Sequence, residues 1–143
     1  MAHLYKSVAA LRIFGDTLNP DEITQILGCN PSMSYVNGQV IPSKTRDIIR
    51  KTGMWRLDAT SCTPENLDAQ VAELLGKLSP DLTVWAALAN DYEIDLFCGF
   101  FMKTKGEGLD ISALTLKSLG DRNIPTGLCL YSSMEDDCDE HTA

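Results

Sequence analysis

Histidine is almost missing from this chain: His3 and His141, both near the ends, are the two present in 143 residues. That removes the commonest general base and metal ligand from a core site, and with it a Ser-His or Cys-His nucleophile. The glycine signatures are missing too. There is no G-x-S-x-G and no G-x-x-x-x-G-K-[ST], and Gly106-x-Gly108 lacks the third glycine of a dinucleotide loop. No C-x-x-C pair occurs among Cys29, Cys62, Cys98, Cys129 and Cys138. An odd number of scattered cysteines fits five unpaired thiols in a reducing compartment. Cys138 and His141 have a ligand-like spacing but stand alone, whereas a structural zinc needs four held ligands, so no metal and no cofactor are expected.

Long apolar runs are also lacking. The longest near-apolar stretch, Leu82 to Ala89, is far short of a membrane span, and MAHLYKSVAALRIFG has no charged leader with a small-residue cleavage site. A cytoplasmic protein without membrane contact is the expectation. Positive charge is scarce: 12 Lys+Arg against 20 Asp+Glu give a net charge of -8, which would repel a phosphate backbone and argues against nucleic acid as a partner. The imbalance is uneven. Lys44, Arg46, Arg50, Lys51 and Arg56 face only Asp47 between positions 44 and 56, a local +4 that leaves -12 on the remainder. A basic protein would be steered toward that remainder.

What is present is the composition of an ordinary globular domain, 44% hydrophobic and 22% charged. A chain of this length can take roughly two-thirds of its unfolded surface out of water. A single domain over 1–134 with an acidic tail over 135–143 is expected. SVAALRIFG reads as a strand. Asn19-Pro20-Asp21-Glu22 then opens a helix with a cap, a first-turn proline and first-turn acids, Ile23, Ile26 and Leu27 form its buried stripe, and Gly28 ends it. Asn37-Gly38 between β-prone runs suits a tight hairpin. A strand over 54–59 follows, and Thr63-Pro64-Glu65 opens a helix carrying Leu67, Val71, Leu74, Leu75 and Leu78. Ser79-Pro80-Asp81 restarts a short helix in which Leu82, Trp85, Ala86 and Ala89 share a face. EIDLFCGFFM is a central strand, Ser112 to Leu119 a further capped helix, and PTGLCLYSS a last strand. The pattern predicts an α+β, ferredoxin-like sandwich, with a mainly antiparallel sheet and helices on one face. Two strand-loop-helix-strand units, whose helices end at Leu27-Gly28 and Leu119-Gly120, leave a degenerate duplication and a coincidence as equal readings.

The run Leu11-Arg12-Ile13-Phe14-Gly15, followed by Leu18-Asn19-Pro20-Asp21-Glu22-Ile23-Thr24 and Leu27-Gly28, resembles the opening of a bacterial family catalogued as domain of unknown function 4279. Lys51-Thr52-Gly53-Met54-Trp55-Arg56-Leu57 is similar to its Gly-x-Trp strand, and Tyr92 to Gly99 to its acidic-aromatic strand. The resemblance runs from about Val8 to Ser132. It implies a bacterial cytosolic α+β protein and supplies no activity.

Alternation along the strands sorts side chains by face. Leu11, Ile13, Trp55, Leu57, Ile94, Leu96, Cys98, Leu128 and Leu130 are expected to face the helices. The opposite face collects Arg12, Phe14, Met54, Arg56, Asp58, Asp95, Phe97, Cys129 and Tyr131. Arg12, Phe14, Arg56, Asp95, Phe97 and Tyr131 are the candidates for a binding face, because aromatic anchors bury area and arginine makes directional bonds. Phe14 and Phe97 are expected to form an exposed patch there. Three readings follow. The leading one is a non-enzymatic protein that binds a protein partner or itself as a homodimer through this face, with an immunity-like role as its sharper form. The second is a small-molecule regulatory module in which Arg12 or Arg56 holds a carboxylate. The third is a hydrolase using carboxylates among Asp91, Glu93, Asp95 and Asp110. No catalytic residue is assigned.

Overall fold

A computed structural model describes residues 2–132; the expected acidic tail lies outside the described residues. In chain order the elements are β1 (Ala2–His3), β2 (Lys6–Gly15), α1 (Pro20–Leu27), β3 (Met33–Tyr35), β4 (Val40–Ile41), β5 (Ile48–Ile49) and β6 (Gly53–Asp58). They continue with α2 (Leu67–Gly76), α3 (Leu82–Asp91), β7 (Glu93–Phe101), β8 (Glu107–Gly108), α4 (Ala113–Asp121) and β9 (Thr126–Tyr131). Five strands form one sheet in the order β3-β6-β2-β7-β9, antiparallel except for the β7–β9 pair. The fold is α+β.

The pairings make β2 parallel to β3 with β6 between them, and β6 parallel to β7 with β2 between them. Two split β-α-β connections are thus interleaved, one through α1 and one through α2 and α3. The β4–β5 insert, the second helix of the α2–α3 pair and the parallel edge strand β9 lie outside a four-strand, two-helix plan. The two units that suggested a duplication close differently: β2 and β3 are separated by a strand, whereas β7 and β9 are neighbours.

One face of the sheet supplies the core. Leu11, Ile13, Trp55, Leu57, Ile94, Leu96, Cys98 and Phe100 cluster with Ile23 and Leu27 of α1, Leu67, Val71 and Leu74 of α2, Trp85 and Leu88 of α3 and Leu119 of α4. All four described helices therefore bury their residues on one face. Leu128 and Leu130 are in register with Cys98 and Phe100 and share that face, but they remain 51% and 52% accessible because β9 is an edge strand beyond the helical cover.

Caps set where the helices begin. The Asn19 side chain accepts from the Asp21 amide and Gly28 adopts φ 81, so α1 starts and stops where its sequence indicates. Ile26 departs from the expected stripe and is 44% accessible. α2 begins later than expected, with Asn66 as its cap, because the preceding chain is held extended against β2. Ser7 and Cys62 exchange backbone hydrogen bonds, and the Ser7 hydroxyl donates to Gln70 Oε1 at 2.7 Å while accepting from the Asn66 amide at 3.1 Å. In α3 the Asp81 cap turns Trp85 and Leu88 inward and leaves Leu82 and Ala86 exposed, which corrects the expected face. Asn37-Gly38 does make a turn, with Gly38 at φ 87 and the Gln39 amide donating to Val36 O at 3.1 Å. Its flanking strands do not pair with each other, however: β3 joins β6 and β4 joins β5.

Candidate binding face

The expected strand phase holds across the sheet. Arg12 stands between Arg56 and Asp95 in register, Phe14 between Met54 and Glu93, and Ala10 between Asp58 and Phe97. Phe101 and Tyr131 are in register on the same face, their rings stacked at 4.8 Å and 11°. Arg12, Phe14, Arg56, Asp95, Phe97 and Tyr131 therefore share the face opposite the helices.

Two guanidinium groups side by side would repel, and each is held by a carboxylate. Arg12 Nε and Nη2 donate to the two oxygens of Asp95 at 2.8 and 2.7 Å, a two-point contact that fixes the plane of the group. Arg56 Nε donates to Asp58 Oδ1 at 2.6 Å, two residues along the same strand. Arg12 also lies over both neighbouring rings, with its guanidinium carbon 5.2 Å from the Phe14 centroid and 5.1 Å from that of Phe97.

This stack corrects one expectation. Phe14 and Phe97 do not form an exposed patch; each is 8% accessible. The long Arg12 side chain lies across them, and Phe14 further packs with Tyr35 and Met54 in a small second cluster.

The other half of the face is hollow. Val8 and Ala10 stand at alternate positions of β2 on this face, so its floor is built from small side chains. Phe97 and Phe101 wall one side and Arg56, Asp58 and Ser61 the other, enclosing about 320 Å³. Beside it, Gly99 is in register with Val8 and leaves no room for a side chain: a Cβ on it would stand 2.8 Å from Val8 Cγ2 and 3.3 Å from Tyr131 Cε2. The hollow and its Phe101 wall were not anticipated. Alternation extended to Val8, Ala10, Gly99 and Phe101 places them on this face, but only the register reveals that the small residues are adjacent.

The carboxylates considered for hydrolysis separate. Asp95 is committed to Arg12, Asp110 is exposed elsewhere, and Asp91 and Glu93 line a cleft at the strand ends with Asp16. Among the described residues no group of three or more His, Cys, Asp or Glu side chains is arranged to hold a metal. Cys98 lies under the helices, its thiol pushed up to about 12 by burial and by the Asp95 charge, which keeps it protonated and unreactive near neutrality. Cys129, buried on β9, is disulfide-bonded, whereas Cys29, Cys62 and Cys98 are free. The expectation of five free thiols is corrected, because spacing along a chain does not reveal which sulfurs meet in space. No helix of the described residues is long and apolar enough to cross a membrane.

The sequence profile of the family described as domain of unknown function (DUF4279) matches residues 3–133. The chain belongs to that family. No curated protein and no solved structure matches it. Family membership covers every strand of the open face and brings no activity with it, so the chemistry has to be read from the face itself.

Proposed function

We propose that this protein is not an enzyme but a binding protein, acting through the open face of its sheet on a basic protein partner. The observation that carries this reading is the hollow beside the Arg12–Asp95 pair, set on a sheet face that no described helix covers. Its Phe97 and Phe101 walls offer aromatic surface, and Asp58 and Ser61 offer acceptors at the rim. Together these suit one cationic or aromatic side chain arriving as an anchor. The net charge of -8 favours approach of a basic protein. An immunity-like role, in which the partner is a basic toxin and binding blocks it, is the sharper form of the same reading.

The test is a titration with a Lys- and Arg-rich peptide carrying one Trp, followed by amide NMR shifts. Shifts are expected to gather at positions 8–12, 56–61 and 97–101, and to vanish in Ala10→Leu, which fills the hollow from its floor. Shifts confined to the acidic cleft around Asp16 and Asp91, or binding unchanged in Ala10→Leu, would overturn the assignment.

The hollow's volume of about 320 Å³, at the lower limit for small-molecule sites, favours a second reading as a ligand-binding regulatory module. A carboxylate fragment that saturates the wild type but not Ala10→Leu would select it.

A further inference from the structure

Two features at one end of the molecule remain without a partner. The first is the segment between β3 and β6, an arm inserted between two strands of the main sheet. Its strands β4 and β5 pair with each other and with no other described strand. It exposes Val36, Val40, Ile48 and Ile49, the last 63% accessible. A lone two-stranded hairpin is marginal in water, and a lone chain rarely leaves clustered branched side chains uncovered. The arm is also basic, with Lys44, Arg46, Arg50 and Lys51 against Asp47 alone. At its root the Arg50 guanidinium lies 4.4 Å from the Tyr35 centroid, and its buried Nε has no acceptor among the described residues.

The second feature is a channel of opposite character. A cleft of about 490 Å³ lies at the ends of β2, β6 and β7, lined by Phe14, Asp16, Asp91 and Glu93, with Thr52 at the arm's root. Through Asp91 and Tyr92 it continues into a groove of about 420 Å³ between α1 and α3, where Ile26, Val84 and Leu88 lie beneath Glu22. Asp16, Glu22, Asp91 and Glu93 make no ion pair among the described residues.

We propose that a second copy of this chain covers both features, with Val40 and Ile49 of each arm, cross-strand partners on one face of the hairpin, seated in the other copy's α1–α3 groove. The arm cations then face Asp16, Glu22 and Asp91 of that copy. The overall charge of -8 opposes association of two copies, so only a local match of this kind brings them together. Because Thr52 places the arm's root on the wall of the cleft, arm and channel lie at the same end of the sheet. One two-fold axis at that end satisfies both contacts at once and closes the assembly as a dimer. The inference is independent of the open-face reading, since the residues that make its contacts, Val40 and Ile49 with Asp16, Glu22, Ile26 and Asp91, do not line the open-face hollow.

Sedimentation velocity across a wide concentration range tests it, with circular dichroism confirming that each variant folds. The wild type is expected to shift from monomer to dimer as concentration rises, and the dimer to weaken with added salt. Ile49→Asp should raise the dimer dissociation constant about tenfold or more, and Ile26→Asp should do the same from the groove side. Reversing the channel alone, with Glu22→Lys and Asp91→Lys, should abolish the dimer. Adding Lys44→Glu and Arg46→Glu to that chain should restore it, an outcome that loss of folding cannot imitate. A wild type that stays monomeric, a dimer indifferent to Ile49→Asp, or a fully reversed chain that fails to re-form the dimer would each overturn the proposal.

Discussion

Arg12 covers two aromatic rings that would otherwise meet solvent. Its stem and guanidinium lie across Phe14 and Phe97, and the two hydrogen bonds to Asp95 hold it there. The energetic result is that Phe97 belongs to a small packed layer on the open face and is not a free docking anchor. Phe97→Ala is therefore expected to lower stability by about 3 kcal/mol, as for a buried aromatic, because it removes one ring of the stack and leaves Arg12 half desolvated. Urea unfolding measures this, and Leu114→Ala, at a site 74% accessible, should stay within about 0.5 kcal/mol of wild type. A Phe97→Ala loss no larger than that of Leu114→Ala would mean that Arg12 does not hold the ring down. Alternation made the face of Arg12, Phe14 and Phe97 legible in the sequence, since side-chain direction has period two in a strand. Their burial was not legible, because it depends on a long side chain from one strand lying across rings from its own strand and the next.

At the scale of elements, what could be read depended on whether the signal was local. The cap at Asn19 and the stop at Gly28 depend on contacts within a few residues, and α1 follows them. The start of α2 depends instead on Ser7, far away in sequence, whose hydroxyl and backbone hold the chain extended as far as Asn66. The Asn37-Gly38 turn forms as its two residues require, yet the pairing on either side was decided by what each strand could bury. Tyr35 on β3 reaches Phe14 and Met54, so β3 joins the main sheet and leaves β4 to pair with β5. Gly53 adds a constraint that only packing reveals: a Cβ there would stand 2.9 Å from the Gly15 carbonyl and 3.1 Å from that of Leu18, both backbone atoms. The caps give the element-scale prediction. Asn66 Oδ1 accepts from the Ala69 amide at 3.1 Å, so Asn66→Ala should cost about 1 kcal/mol, read as a lower urea midpoint with an unchanged slope. Thr63→Ala, at the residue that the sequence pattern favoured as the start, should cost clearly less. Equal losses would return the start of the helix to Thr63.

At the scale of the whole molecule, carboxylates fasten segments that lie far apart or would otherwise fray. Asp68 on α2 accepts from the Ser112 amide at 3.1 Å, just ahead of α4, and Glu73 accepts from the Thr60 amide at 3.0 and 3.1 Å. Glu107 gathers the amides of Lys103 and Thr104, and Asp81 caps α3. For Asp68, Glu73 and Glu107 burial pushes the pKa up, but hydrogen bonds from these partners outweigh it and leave each below its ordinary value; for Asp81 the Thr83 hydroxyl and amide lower it. A carboxyl that titrates lower in the folded state takes up its proton first when unfolded. Its contribution is therefore complete above the ordinary values of 3.8 for aspartate and 4.5 for glutamate and is lost as pH falls through the lower folded values. Acid also acts in the opposite direction, since protonation relieves the self-repulsion of a chain with net charge -8. The two effects separate in a variant. Glu73→Gln keeps the shape, removes one titrating group and leaves the rest of the charge pattern in place. Its urea midpoint should lie below that of the wild type near neutrality and converge toward it as pH falls below 4.5. Curves that stay parallel through that window would mean that the Thr60 amide and hydroxyl do not favour the Glu73 carboxylate, and the acid response would then belong to the overall charge alone.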